Sequence, residues 1–416
     1  MRLTKREFDD YLRPLLPEAD LEIEPDRAFA LAAFSFLTEP SDLLPQFLSE
    51  WLTPEALLDL VIDRADAQAL AATLPAQALE AVEDKLGDGL GVIWGNALER
   101  WTPRLNRKSL LDSLAWMVSG ASGLSQPHRL VFQGSDSYPL GLDDLNTHRP
   151  GVLWCIGQSR LLAAETALAV VGTRQASRYG SSVAADIAAV AAQAGVVTVS
   201  GGAYGIDAIV HQSAVQLEAP TIAFMAGGLG HLYPRGNLSM LHAIASAGLL
   251  VSEVAPFVTP AKWRFLMRNR LIAATAAATV VVEAGKTSGA LNTGRTAVGL
   301  GREVAVVPGN IDSARSIGCH QFLNEFPGDV KLLARPQDVL KLLGAGVPDA
   351  LTVKGLGALE SRALDTFGLT AIEAWEVQRL AGLTTRETQI ALGSLEMQGL
   401  VERLGTGYRR VLLEGG

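Results

Sequence analysis

The chain has 416 residues, of which 48% are hydrophobic and 19% are charged, and its net charge is −9. Cys155 and Cys319 are too few for a disulfide framework and have no zinc-ligand spacing, so we expect a protein of the reducing cytoplasm. No apolar run is long enough to cross a bilayer, and the first ten residues lack the apolar core of a signal peptide, which argues against a membrane or secreted protein.

The acidity is concentrated at one end. Residues 1–100 contain 20 acidic and 8 basic residues, a net charge of −12, whereas residues 101–416 contain 24 acidic and 27 basic residues, a net charge of +3. The larger part of the chain is therefore free to carry a cationic surface that could bind a polyanion.

Residues 1–125 are rich in Ala, Leu and Glu, with apolar residues at helical spacing and prolines between the runs. We predict several short helices in an N-terminal helical domain. A docking or spacing role suits this composition better than catalysis.

Residues 126–345 have a different pattern. Short apolar runs such as ALAVVGT, GVVTVSGG and ATVVVEAG end in Gly or Ser and alternate with helical stretches. This alternation predicts parallel βαβ units in an α/β domain, a Rossmann-like doubly wound parallel sheet. Ligands of such sheets bind beyond the carboxyl ends of the strands, where these glycines fall.

Residues 346–416 begin with a linker and continue as helices followed by a hairpin, a pattern typical of a winged-helix domain. Thr370 with Glu373 and Thr384 with Glu387 have the spacing of helix capping boxes. The presumed recognition helix has a single basic residue and two acids, which favours protein contact or dimer support over base reading in duplex DNA.

The Gly-Lys-Thr at 285–287 ends like a P-loop. The first glycine of such a loop would have to stand at Val280, inside a predicted strand, so we exclude ATP hydrolysis by this route. We expect residues 283–289 to form a strand-to-helix turn whose free N–H groups, with Lys286 and Ser288, can hold one phosphate.

Two earlier strand ends have similar chemistry. VVGTRQASRYG offers a tight turn at Gly172, a hydroxyl at Thr173 and a planar phosphate-binding fork at Arg174, although a plain turn with a surface arginine remains the alternative. VSGGAYGIDAIVH follows the same plan, and its Asp207 and His211 are expected to have structural roles rather than to bind a metal.

The segment AKWRFLMRNRLIAA interleaves aromatic and basic residues: Lys262, Trp263, Arg264, Phe265, Arg268 and Arg270. Cations that follow a phosphate backbone and rings that stack any base are typical of single-stranded nucleic acid binding. An amphipathic helix with Phe265, Leu266 and Ile272 in the core explains the residue types equally well. We find no motif for a catalytic centre, a metal site or a cofactor.

Taken in order, a series of strings resembles the DNA processing protein A family, also called DprA or Smf. The strings are SYPLGLDDL (137–145), VVGTRQASRYG (170–180), SGGAYGIDAIVH (200–211), GGLGHLYPRGN (227–237), SE (252–253), FLMRNRLIA (265–273), VVEAGKTSGALNT (281–293) and PGN (308–310). The chain departs from the family where Leu266 replaces a frequent proline and where His320 replaces an asparagine.

The resemblance implies a cytoplasmic protein that is not an enzyme. It implies a homodimer that binds single-stranded DNA and loads the RecA recombinase onto it during natural transformation, against the barrier set by single-strand-binding protein. By match to the family motifs, the DNA-binding residues would be Gly172, Thr173, Arg174, Ser200, Gly201, Gly202, Lys262, Phe265, Arg268, Asn269, Arg270, Lys286, Ser288 and Gly289.

Two other functions remain open at this point. A Rossmann-like nucleotide phosphoribohydrolase, of the type labelled lysine-decarboxylase-like, would use a pocket carboxylate such as Glu283 or Asp207, but its PGGxGTxxE signature is absent. A winged-helix regulator of duplex DNA would need a more basic recognition helix.

Overall fold

The computed structural model describes residues 2–120, 123–164, 166–344, 357–367, 372–397, 400–404 and 407–410. They fall in two compact units, Met1–Gly346 and Val347–Gly416. Within the described ranges, every helix is too short or too polar to cross a bilayer.

The predicted run of short helices is observed at the start of the first unit. Several of these helices begin at a side chain that accepts a backbone N–H three residues later, as Thr53, Asp66 and Asn106 do. The helices are α1 (Lys5–Glu7), α2 (Pro25–Leu37), α3 (Leu44–Leu48), α4 (Pro54–Ile62), α5 (Ala67–Thr73), α6 (Ala76–Leu86), α7 (Leu90–Trp101) and α8 (Arg107–Ser119).

A mixed and mostly parallel sheet follows, with the order β1-β2-β6-β5-β4-β3-β7-β8-β9 among the described residues. The apolar runs of the sequence correspond to β1 to β8, whereas β9 was not predicted. The strands are β1 (His128–Phe132), β2 (Val152–Gly157), β3 (Ala167–Val171), β4 (Val197–Ser200), β5 (Thr221–Phe224), β6 (Leu249–Ser252), β7 (Ala278–Val281), β8 (Glu303–Val306) and β9 (Val330–Leu332).

The expectation that all these strands are parallel is wrong for β1 and β2. They pair antiparallel with each other, and β2 pairs antiparallel with β6. The connection between β1 and β2 contains a 3-10 helix, Leu140–His148, instead of an α-helix that crosses over the sheet. Antiparallel neighbours need no such crossover, so this edge could form without one.

Helices cover both faces of the parallel part of the sheet. They are α9 (Arg178–Gln193), α10 (Ile206–Gln216), α11 (Leu238–Ala247), α12 (Lys262–Thr275), α13 (Gly289–Gly299), α14 (Ile317–Glu325) and α15 (Val339–Leu342). The chain runs outward from β3 to β6 on one side and from β7 to β9 on the other, so the strand order reverses between β3 and β7. Crevices at such reversals are the usual ligand sites of α/β sheets.

Alternate side chains of β1 and β2 enter two different cores. Leu130 and Phe132 join the N-terminal helices, α10 and α11 in one core, whereas Val131 joins α12, α13 and α14 in the other. The indole of Trp154 donates to the hydroxyl of Ser35 in α2 at 3.2 Å. The acidic helices therefore share a hydrophobic core with the sheet.

The second unit contains α16 (Ala358–Leu364), β10 (Ile372–Glu373), α17 (Ala374–Ala381), α18 (Thr385–Met397), β11 (Val401–Leu404) and β12 (Gly407–Arg410), with antiparallel strands in the order β10-β12-β11. The capping box of Thr384 and Glu387 is confirmed, with bonds of 2.8 and 3.3 Å. Thr370 and the hairpin residues Gly405 and Thr406 lie outside the described residues, and α17 is capped instead by Glu373 with Glu376.

Candidate nucleic-acid interface

A cavity of about 250 Å³ lies where the strand order reverses. Four separate segments contribute to its wall: the turns after β3 and β4, helix α12 and the start of α13. The lining residues include Gly172, Arg174, Ala203, Asp207, Phe265, Leu266, Arg268, Asn269, Ser288 and Gly289. Seven of the fourteen residues predicted for DNA binding are thus brought to one cavity.

Arg174 and Phe265 meet at the cavity although they are 91 positions apart in the chain. The guanidinium carbon of Arg174 lies 5.2 Å from the centre of the Phe265 ring. Phe265 is only partly buried and Arg174 is exposed. A cation and a ring side by side can contact a phosphate and a base of the same strand.

Lys262 and Lys286 are exposed and do not line the cavity. Lys262 lies in α12 three residues before Phe265, which places both on one face of the helix. In the described part of the chain, neither lysine forms an ion pair with a carboxylate, and Arg174 forms none either. All three charges are therefore available to an anion from solution.

Arg268 lines the cavity but is 4% exposed. Its guanidinium donates to the backbone oxygens of Gly201, at 2.7 Å, and of Phe224. Burial lowers the pKa of Arg268 to about 10, against the opposing charge of Asp207, so the side chain stays protonated at neutral pH. It gives the cavity floor a positive charge while its hydrogen bonds hold the ends of β4 and β5 in place.

Ser200, Gly201 and Gly202 are buried behind the cavity wall. The hydroxyl of Ser200 donates to the oxygen of Val170 at 2.7 Å. A Cβ atom on Gly201 would lie 2.4 Å from the guanidinium of Arg268, so glycine is needed there to admit the arginine. These residues support the site from behind, and direct DNA contact by them stays a prediction.

Arg270 points to the other side of α12. Both of its terminal nitrogens donate to the carboxylate of Glu253, at 2.8 and 2.6 Å, and its Nε donates to the oxygen of His148 at 2.9 Å. It lines a different cavity, of about 360 Å³, between the sheet and the N-terminal helices. Its predicted role as a phosphate anchor is not supported by this placement.

The turn after β7 has the predicted strand-to-helix form. Ser288 caps α13 by accepting the N–H of Ala290 at 3.3 Å, and Asn269 donates to the oxygen of Gly289 at 3.1 Å. The amide of Thr173 donates to the oxygen of Glu283 at 2.7 Å, which joins this turn to the one after β3.

The two carboxylates that the phosphoribohydrolase alternative would use, Glu283 and Asp207, both accept hydrogen bonds from the protein itself. Glu283 is 3% exposed, does not line the cavity, and accepts from the amide and the hydroxyl of Ser177 at 2.9 and 2.6 Å. Asp207 reaches the cavity, but it accepts the amide of Gly201 at 3.2 Å. Burial raises the pKa of Asp207 and the charge of Arg268 opposes this shift. Within the described residues, no group of three or more potential metal ligands is found.

The sequence interpretation missed several contacts made by residues of α12. Tyr233 lies 5.8 Å from Phe265, ring centre to ring centre, and Tyr204 is another exposed ring whose hydroxyl accepts the amide N–H of Gly236, in the same loop as Tyr233. Both tyrosines lie inside strings that resemble the family, so an aromatic residue within these strings was the signal that could have identified them. Glu39, which accepts two bonds from the terminal nitrogen of Arg264 at 2.9 and 3.0 Å, gave no signal, because 225 positions separate the two residues.

We expect Glu39→Gln to lower the free energy of unfolding by about 1–2 kcal/mol, between the values for exposed and buried ion pairs. Glu39 also pairs with Arg104 at 2.9 Å, so one carboxylate joins the N-terminal helices to α12. Urea unfolding measures the effect, with Glu325→Gln as the control because its pair with Arg295 is nearly half exposed. Equal losses in both variants would contradict a special role for Glu39.

The comparisons with known proteins agree with the motifs. Residues 129–344, just over half of the chain, match the family model described as DNA recombination-mediator protein A. A Mycobacterium tuberculosis relative that carries the DprA name is 50% identical over 198 residues, which cover 47% of this chain and 50% of the relative. Protein Smf of Escherichia coli is 36% identical over 249 residues, covering 59% of this chain and 63% of that protein.

A solved structure, DNA processing protein A (DprA) from Streptococcus pneumoniae, is similar with a TM-score of 0.54 and 27% identity. The similarity covers 76% of this chain and 97% of that chain. The sequence matches span only half to two thirds of the relatives' lengths.

Proposed function

The chain belongs to the DNA recombination-mediator protein A family, and from that premise we propose that it binds single-stranded DNA at the cavity between β3 and β7. The observation that carries this proposal is the contact between Arg174 and Phe265 at the rim of that cavity, near lysines that form no ion pair with a carboxylate of the described residues. The wall offers the Phe265 ring, which can stack any base, beside the Arg174 guanidinium, which can contact a phosphate of any nucleotide. Binding should therefore depend little on sequence.

The roles proposed for the predicted residues follow from their exposure and from whether they line the cavity. Arg174, Lys262 and Lys286 would contact phosphates, and Phe265 would stack a base. Arg268 and Asn269 would shape the floor, with Gly172, Ser288 and Gly289 giving close access to the backbone. Thr173, Ser200, Gly201, Gly202 and Arg270 would act by holding these groups in position.

We also propose the wider function that the family resemblance suggests. The chain would act in the cytoplasm as a homodimer without enzymatic activity, and it would load RecA onto single strands occupied by single-strand-binding protein. Its parts would be an N-terminal helical domain (1–125), a Rossmann-like DNA-binding domain (126–345) and a winged-helix domain (346–416). RecA filament formation on coated single strands, with and without this protein, tests the loading step.

The central experiment is fluorescence anisotropy with single-stranded and double-stranded oligonucleotides over a series of salt concentrations. We expect tighter binding to the single strand and a linear dependence of log affinity on log salt, because bound cations release counterions from the strand. Equal affinity for both forms, or no binding to either, would contradict the proposal. Release of free base from nucleoside monophosphates would instead support the phosphoribohydrolase alternative.

Arg174→Ala should weaken binding to every single-stranded sequence. If Arg174 holds one phosphate, the slope of log affinity against log salt should fall by about 0.7. Arg335→Ala is the matched control: it removes the same charge from an exposed arginine that pairs with Asp338 and does not line the cavity. A slope that changes equally in both variants would show that only net charge matters.

A further inference from the structure

Exposed tyrosines continue the aromatic surface beyond the cavity. Tyr233 and Tyr204 are each 46% exposed, and neither lines the cavity. Tyr233 contacts Phe265 edge to face, with an angle of 63° between the ring planes. Isolated exposed rings are common on protein surfaces, whereas adjoining ones more often mark a contact site.

Tyr204 is held in a fixed place between two loops. Its hydroxyl accepts the amide N–H of Gly236 at 3.2 Å. A Cβ atom on Gly236 would lie 2.6 Å from that hydroxyl and 3.0 Å from a ring carbon, so the loop fits closely around the tyrosine. On the other side, the amide of Ile206 donates to the oxygen of Thr173, beside Arg174.

These contacts arrange the residues in a continuous series. Arg174 lies over Phe265, Phe265 touches Tyr233, and the loop that carries Tyr233 meets Tyr204. Arg235 lies in the same loop, is exposed, and forms no ion pair with any carboxylate among the described residues. The surface beyond the cavity thus repeats the combination of ring and free cation that is found at its rim.

We propose that Tyr233 and Tyr204 stack further bases of the strand whose first base lies on Phe265, and that Arg235 binds a phosphate between them. This inference rests on the proposed binding of single-stranded DNA. It means that the ligand of the extended surface is a run of several unpaired nucleotides rather than a single nucleotide. Successive rings suit such a run because every base has a π-face to stack.

The test compares short and long oligothymidylates, of about 4 and about 16 nucleotides, which bracket the known site sizes of stacking proteins. Anisotropy titrations would use wild type, Tyr204→Ala/Tyr233→Ala and Tyr204→Phe/Tyr233→Phe. The alanine variant should bind the long strand at least about tenfold more weakly, with a clearly smaller loss for the short strand, which can reach fewer of the rings. The phenylalanine variant keeps both rings and should bind like wild type.

Several outcomes would overturn the inference. In one case wild type binds both strands and the alanine variant loses affinity for both strands equally. In another, the alanine variant keeps its affinity for both strands. Either result would mean that the tyrosines do not extend the site, although the cavity still binds DNA. If wild type binds neither strand, the proposed function fails as well. Crosslinking of wild type to an iododeoxyuridine-substituted long strand, mapped by mass spectrometry, requires no folded variant. Absence of Tyr204 and Tyr233 from the crosslinked residues would also reject the inference.

Discussion

Replacing Arg270 by alanine is expected to lower the free energy of unfolding by about 3–5 kcal/mol, because it leaves a buried charge without its partner. The side chains of Arg270 and Glu253 are 9% and 8% exposed, and two hydrogen bonds join them. The carboxylate of Glu253 would remain in a largely dry site after the substitution. Urea unfolding followed by circular dichroism measures the loss.

Two further variants separate this effect from the loss of a surface charge. Arg295→Ala breaks an exposed pair with Glu325 and should cost no more than about 1 kcal/mol. Adding Glu253→Gln to Arg270→Ala removes the unpaired buried charge of Glu253 and should recover part of the free energy of unfolding. If Arg270→Ala folds as stably as wild type but loses DNA affinity, the direct phosphate contact predicted from the sequence is correct instead.

The buried position of Arg270 could not be foreseen, because Arg268 and Arg270 look alike in the sequence. Both lie in a basic segment without acids, and an exposed helix face is the ordinary expectation for such residues. In the structure Arg268 donates to strand-end carbonyls and Arg270 pairs with Glu253. Their partners are brought to them by the tertiary fold, which residue type and helical spacing do not encode.

The architecture, by contrast, could be largely anticipated from local patterns. Buried parallel strands must be apolar along their whole length, and their ends must turn sharply into helices. Runs such as ALAVVGT and ATVVVEAG therefore indicate the strands, and the glycines at their ends indicate the edge of the sheet where ligands bind. The meeting of Arg174 with the α12 segment, by contrast, was expected only from the family resemblance. The antiparallel β1 and β2 escaped prediction because a run of apolar residues does not specify the direction of its neighbour.

Local capping chemistry was also readable where it depends on near neighbours. The bond of Thr384 with Glu387 needs only a spacing of three residues, and it is present. The pair of Glu39 with Arg264 could not be inferred in this way, because it depends on how the N-terminal helices pack on the sheet. Interactions within one turn of helix are thus encoded locally, whereas the buried charges around α12 are not.

Phe265→Ala is expected to weaken binding to single-stranded DNA by about 1–3 kcal/mol, the loss found when a stacking ring is removed. This corresponds to a rise in Kd of roughly 5- to 150-fold. The slope of affinity against salt should stay close to that of wild type, because no charge is removed. Anisotropy titration at several salt concentrations measures both quantities.

Phe265→Leu is the matched control, since it keeps an apolar side chain but removes the ring. If the leucine variant binds like wild type, packing rather than stacking explains the contribution of Phe265. If the alanine variant fails to fold, Phe265 belongs to the hydrophobic core. That result would agree with the alternative interpretation of this segment as an amphipathic helix. Its incomplete burial and its place in the cavity wall argue against that outcome.

Combining Phe265→Ala with Arg174→Ala then distinguishes the two parts of the rim. Because the guanidinium lies 5.2 Å from the ring centre, an exposed cation–π contact of about 0.5–1 kcal/mol also helps to hold Arg174 in place. The double variant should therefore lose less affinity than the two single losses added together. Strict additivity would mean that ring and cation act on the strand independently, and that the contact seen between them does not orient Arg174 for its phosphate.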